Sequence, residues 1–387
     1  MVINAKSIFD PQLMALFPTK PLVETLPGSA DGLLSSVNLL LTTGLLGVIL
    51  FSCDLARNSA WRRRIWVTMV ATGACISVLG ISQKFGSETI LSWVWDETRR
   101  DPNNNFGMFR YRDNAAAFLN LCLPLAAGLT FMAFRNNEAL WVRLLCVACV
   151  IVIALGIVAN PSRLGWLMAG LILCCFGIQI VSRLWRRVDN SGTAKRIFGY
   201  GFGVLIASLV LVAFSFFGKS KGDWAGTKNL AGEPSEHSPT EIYTHMIPEA
   251  GWLGFGPGTF QVVFPRYQHS YNFGEKRAPE SWTTHFWAHA HHDYLQTLIE
   301  WGYIGSGIWA VLIFGGLLVA VKRLVLTQHM ESKSILFCSL LAMAAVLGQA
   351  FFDYPLQIAS IQLYFSILLG ICWSSSEAGE LDTAFPE

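Results

Sequence analysis

The sequence predicts an all-α polytopic integral membrane protein, and three observations carry that expectation. Of its 387 residues 53% are hydrophobic and only 14% charged, a balance too apolar for an ordinary soluble domain. Apolar runs of about 17–20 residues recur along the chain, the length at which a helix crosses the hydrocarbon core. The connections between them carry basic clusters in alternation, as in a chain threaded repeatedly through a bilayer.

The runs predict about nine membrane helices, at roughly 33–52, 65–83, 115–134, 141–159, 164–181, 198–217, 303–321, 335–352 and 357–373. Arg57 with Arg62, Arg63 and Arg64, then Arg183 through Arg196, then Lys322, Arg323 and Lys333 mark cytoplasmic connections. The other side receives the 84–114 loop, the 160–163 hairpin, the large 218–302 loop and the Asp353–Pro355 turn. This divides the chain into an extramembranous segment 1–32, a six-helix region 33–217, an extracytoplasmic loop 218–302, a three-helix region 303–374 and a cytoplasmic tail 375–387. The first segment carries Pro11, Pro18, Pro21 and Pro27 and no basic stretch leading into an apolar one, so it reads as a loop and not a signal peptide.

A net charge of +2 with no basic stripe gives no indication of a nucleic-acid partner. None of the nine cysteines falls in the 218–302 loop, which argues against a disulfide framework or a zinc-ligand spacing there. Seven of the eight histidines (His237, His245, His269, His285, His289, His291 and His292) lie in or beside that loop. They gather where water gives way to lipid, and imidazole changes charge near neutral pH. If 285–300 were one helix, His285, His289 and His292 would share a face, as a transition-metal site requires. Polar packing at the interface, or a general base, fits the same residues.

Other features bear on anions. In Asn160-Pro161-Ser162-Arg163, Pro161 breaks one helix and Ser162 can cap the next. Arg163 then stands at a helix amino terminus, where the dipole and free N–H groups favour negative charge. Snorkelling to lipid headgroups is the plainer role for such an arginine. The 84–114 loop keeps Lys84, Arg99, Arg100, Arg110 and Arg112 on the outer side, either balanced by its acids or kept there for an anion. Ser238-Pro239-Thr240-Glu241 has capping-box spacing, so a short helix should run to about Glu249 with Ile242 and Met246 on its buried face. Four glycines within Gly251–Gly258 permit tight turning and close approach of backbone to a ligand.

The stretch His289-Ala290-His291-His292-Asp293-Tyr294-Leu295-Gln296, running to Glu300-Trp301-Gly302 and Gly305, resembles a His-Ala-His-Asn-Asp-Tyr-Leu-Gln segment of the bacterial O-antigen ligase and O-antigen polymerase family. Gly254-Phe255-Gly256-Pro257-Gly258-Thr259-Phe260 is similar to its glycine turn, and Pro161-Ser162-Arg163 with Trp166 to its Ser-Arg hairpin. Gly107-Met108-Phe109 through Asn114, Ala117, Leu119 and Pro124 resembles the start of one of its helices, and Asp353 with Pro355 its Asp near the last helices. The likeness extends over about 75–373 with the motifs in family order. Three departures stand out. His292 replaces an Asn, Tyr111-Arg112-Asp113 replaces an Asn-x-Asn, and the helix before the glycine turn lacks its leading Arg, for which Arg110, Arg112 or Arg266 could substitute. Helices that precede residue 1 in many members are also expected to be missing.

The resemblance implies a multi-pass glycosyltransferase of the bacterial plasma (inner) membrane with an extracytoplasmic site, acting in surface polysaccharide biosynthesis. The donor would be a glycan on a polyprenyl diphosphate such as undecaprenyl diphosphate, and the acceptor a glycan or lipid-core hydroxyl. His291 would be the catalytic base, with Arg163, Arg110 and Arg112 on the donor diphosphate. His289, His292, Asp293, Arg266, Asp353, Gly256 and Gly258 would support them. No cofactor and no metal are expected, and membrane lipids are the other partner. A lipid-linked glycan transporter or flippase is the competing class, but it should carry ionisable groups at the bilayer midplane, where these spans have few. The orientation is checked directly: a cysteine placed at Ser235 should react with a membrane-impermeant thiol reagent on intact cells, and labelling only after lysis contradicts it.

Overall fold

The computed structural model describes residues 2–10, 15–85, 104–185, 203, 239–270 and 287–374. Ten α-helices run through them: α1 (Gly32–Leu55), α2 (Ser59–Phe85), α3 (Arg112–Arg135), α4 (Leu140–Ala159), α5 (Arg163–Trp185), α6 (Pro239–Ala250), α7 (Phe260–Ser270), α8 (Asp293–Leu326), α9 (Met330–Gln349) and α10 (Ala359–Trp373). Seven of these, α1 to α5, α8 and α9, are long and apolar enough to cross a membrane, and α10 is a shorter apolar helix. The expected span 198–217 lies outside the described residues. Exposed leucines and valines along the spans, such as Leu40, Leu140, Val311 and Leu318, present the apolar surface that lipid requires and water would penalise.

The chain divides into two compact units. One comprises residues 51–222, 317–349 and 358–387. Its centre is α3, buried along most of its length from Asn114 to Ala133. Small residues let neighbouring helices approach closely. A Cβ built on Gly73 of α2 would lie 2.7 Å from that of Cys122, and one on Gly165 of α5 2.4 Å from that of Ala116. The buried amide of Asn120 donates to the Gly165 carbonyl at 2.9 Å, tying α3 to α5.

The other unit comprises residues 1–50, 223–316 and 350–357. Its core is made by Ile242, Tyr243 and Met246 of α6, Phe260, Val262, Val263 and Phe264 of α7, and Ala290 and Ile299. The expected short helix is therefore present as α6 with Ile242 and Met246 buried, and Ser238 lies outside the described residues. Residues 1–32 hold more structure than a loop. Two strands, β1 (Ser7–Asp10) and β2 (Ala15–Pro18), pair antiparallel with Phe9 opposite Leu16. These two side chains pack on the core while Ile8 and Phe17 are exposed, the alternation of a half-buried ribbon. Asp31 joins the hairpin to the first membrane helix: one oxygen caps α1 by accepting the Leu34 N–H at 2.7 Å, and the other accepts that of Phe9 at 2.6 Å.

A break at Gly302 divides α8. Its φ of 64° and ψ of −172° separate a short helix, 293–301, from the apolar stretch that follows. Only glycine takes such a conformation readily. It frees the next N–H groups, and those of Tyr303 and Ile304 donate to the carbonyls of Gly251 and Trp252 at 3.3 and 3.1 Å.

Candidate active site

The short helix 293–301 organises the histidine segment. Residues 287–292 are irregular and the helix starts only at Asp293, so the helical face that would align His289 with His292 does not form. His285 lies outside the described residues. His292 instead takes the N-cap position, its Nδ1 accepting the Leu295 N–H at 3.4 Å. An asparagine does the same at helix starts. A histidine can thus fill, as helix N-cap, the place that the resembling segment gives to Asn. Burial lowers the proton affinity of His292, which keeps its nitrogen available as an acceptor.

Asp293 serves as a clamp. Its backbone N–H donates to the Ala350 carbonyl at 3.0 Å, and its carboxylate accepts the Leu356 N–H at 2.8 Å and the Gln357 side-chain amide at 3.1 Å. The 350–357 turn is thereby held at the start of this helix, and the turn carries Asp353. His291 Nδ1 lies 3.4 Å from Asp353 Oδ1. The carboxylate is buried, whereas the imidazole is 40% exposed. His291 has a φ of 49°, in the left-handed region, which costs a non-glycine residue about 1–2 kcal/mol. Trp287 and Tyr354 stand edge-on to the ring, with centroids at 5.7 and 4.7 Å. A carboxylate on the Nδ1 side of an imidazole is the placement from which it can orient the ring.

His289 is placed differently. Its ring stacks on Tyr354 at 4.5 Å, and Nδ1 is 3.4 Å from the Gln296 amide nitrogen. Gln296 also donates to Glu300 at 3.1 Å and accepts the Ala290 N–H at 3.0 Å. Burial and the neighbouring His291 lower the His289 pKa to about 4, against a smaller opposing effect of the Gln296 bond. His289 is thus held neutral as part of the frame.

Glu300 fastens the glycine turn, its carboxylate accepting the N–H groups of Gly258 and Phe260 at 2.9 and 3.2 Å. The close backbone approach that the glycines permit is an approach to the chain itself. A Cβ on Gly256 would fall 2.4 Å from the Ser29 hydroxyl, and one on Gly258 2.0 Å from the Asn38 amide nitrogen. Gly256 and Gly258, both at positive φ, therefore act on the site through packing. Arg266 is exposed on α7.

In the other unit, the 160–163 hairpin forms as its sequence indicates. Ser162 Oγ accepts the Gly165 N–H at 2.9 Å, capping α5, and its hydroxyl donates to Asp113 in the first turn of α3. Two helix amino termini therefore lie side by side. Arg163 and Arg112 are close enough for their charges to act on each other, and Arg110 is exposed just before α3. Two dipole ends and a pair of guanidiniums are features that favour negative charge. Among the described residues, no group of three or more His, Cys, Asp or Glu is arranged to hold a metal ion.

Helical spans with polar clusters of this kind define a multi-pass membrane protein. Residues 147–310, less than half of the chain, match the family model described as O-antigen ligase. The likeness read from the motifs thus holds for the segment that contains the Ser-Arg hairpin, the glycine turn and the histidines, while Asp353 and the start of α3 lie outside it. The match supports, in general terms, a membrane glycosyltransferase of the O-antigen ligase or polymerase kind. No curated protein matches the chain.

Gln296, Glu300 and Tyr354 are the site residues that sequence reasoning passed over. The i, i+4 spacing of Gln296 and Glu300, which puts both on one helix face, was the available signal. The depressed His289 pKa has a consequence for stability. A histidine with a lower folded than unfolded pKa binds fewer protons when folded, so stability is lost as pH falls from about 6.5 toward 4. Thermal denaturation in detergent should show this loss, and His289→Gln should flatten it. An unchanged slope in the variant contradicts the assignment.

Proposed function

We propose that the protein transfers or polymerises a glycan from a polyprenyl-diphosphate carrier onto an acceptor hydroxyl at the outer face of the bacterial plasma membrane. The single observation that carries this reading is the His291–Asp353 pair, a partly exposed imidazole whose Nδ1 lies 3.4 Å from a buried carboxylate oxygen. In the proposed step the acceptor hydroxyl gives its proton to His291 Nε2 as its oxygen attacks the anomeric carbon. The bond from that carbon to the diphosphate breaks, and its electron pair leaves with the carrier. Arg163 and Arg112, with Arg110 as a further cation, neutralise the charge on the departing diphosphate.

The cation in this scheme is guanidinium, so transfer should proceed without a divalent metal. Asp293, Gln296 and Glu300 hold the histidine segment in place through hydrogen bonds within the chain. The donor, the acceptor hydroxyl and the outer-face location rest on the family resemblance together with these residues.

His291→Ala should fold and insert normally while transfer falls by about 10²–10⁴-fold, the usual worth of a positioned base. Asp353→Asn should also lower transfer, because it favours the wrong imidazole tautomer. Full activity in a stable His291→Ala protein would refute His291 as the base.

A further inference from the structure

The first turn of α3 is gripped by two amides whose orientation is fixed. Asn160 donates its Nδ2 to the Arg112 carbonyl at 2.8 Å, and Gln349 donates its Nε2 to the Asp113 carbonyl at 2.8 Å. Flipping either amide would set oxygen against oxygen, so the bonds determine where each oxygen points. Both side-chain oxygens are fully buried and accept no hydrogen bond, and the same holds for Oδ1 of the buried Asn114 in that turn. Nε of Arg112 is likewise buried without an acceptor. A buried polar atom left unsatisfied costs about 1–3 kcal/mol, and four are concentrated at the start of one helix.

The chemistry of the set narrows what could satisfy it. A bare phosphate only accepts, so it would suit Arg112 and Arg163 and leave the three amide oxygens unmet. A metal cation would suit the oxygens and be repelled by the two guanidiniums. Hydroxyls attached next to a phosphate offer donors to the oxygens while the phosphate meets the arginines.

We infer that the amide oxygens of Asn114, Asn160 and Gln349 form a subsite for the hydroxyls of the sugar bonded directly to the carrier diphosphate. The inference rests on the donor-site reading above and extends it from the anion to the first sugar. The protein then senses whether its carrier is loaded, because the spent carrier diphosphate lacks the groups that these oxygens accept. Asn114 is the most direct of the three to test, since no bond of its side chain holds the Arg112 or Asp113 carbonyl.

The test measures binding to the full-length protein in detergent of two probes, undecaprenyl diphosphate and the same carrier diphosphate bearing one hexose. Asn114→Ala should weaken the hexose-bearing probe by about tenfold, the worth of one such hydrogen bond, and leave the bare carrier unchanged. Arg163→Ala should weaken both probes. A hexose lacking the hydroxyl next to its anomeric carbon should bind the unaltered protein more weakly, a readout that needs no variant to fold. Equal affinities for loaded and deoxy probes, or an equal loss on both probes in Asn114→Ala, overturns the subsite. No loss on either probe in Arg163→Ala overturns the donor site itself, and the subsite with it.

Discussion

The carboxylate of Asp293 holds the proposed catalytic geometry together. It receives the Leu356 N–H and the Gln357 amide while its own N–H reaches the Ala350 carbonyl. Such hydrogen bonds contribute about 0.5–1.5 kcal/mol each. They are spent on joining two stretches of chain about sixty residues apart in sequence. Without that clamp the 350–357 turn has no fixed place beside the histidine segment. Asp353 would not then be set against His291, nor Tyr354 against both His289 and His291.

A second carboxylate does equivalent work below. Glu300 binds the N–H groups of Gly258 and Phe260, and through Gln296 reaches His289. The glycine turn, the break at Gly302 and the amino-terminal residues Ser29, Ser35 and Asn38 fit so closely that a single Cβ on Gly256 or Gly258 has no room. The motif glycines and acids therefore form one packed assembly, tied through Gln296 to His289 and Ala290 of the histidine segment.

Much of this was legible in the sequence. Eight of the nine expected spans correspond to observed helices, because apolar runs of membrane length have few alternatives. The capping role of Ser162 and the buried face of α6 follow from local rules and hold. The β1–β2 ribbon was not legible, since its alternation is only four residues long on each side and prolines interrupt it. Nor was the helix start at Asp293. A helix drawn through 285–300 obeys periodicity, but the left-handed turn at His291 and the clamp on Asp293 are tertiary facts. The N-cap role of His292 became visible only once that start was known.

The central claim is that a glycosidic bond is made and a carrier diphosphate released. Purified protein in detergent, mixed with chelator, a polyprenyl-diphosphate oligosaccharide and candidate acceptors, tests it by mass spectrometry of both products. The account predicts a glycan covalently joined to an acceptor hydroxyl and one freed carrier diphosphate for each bond formed. An intact donor with every acceptor class, together with passage of that donor across a reconstituted bilayer, would contradict it and establish a transporter.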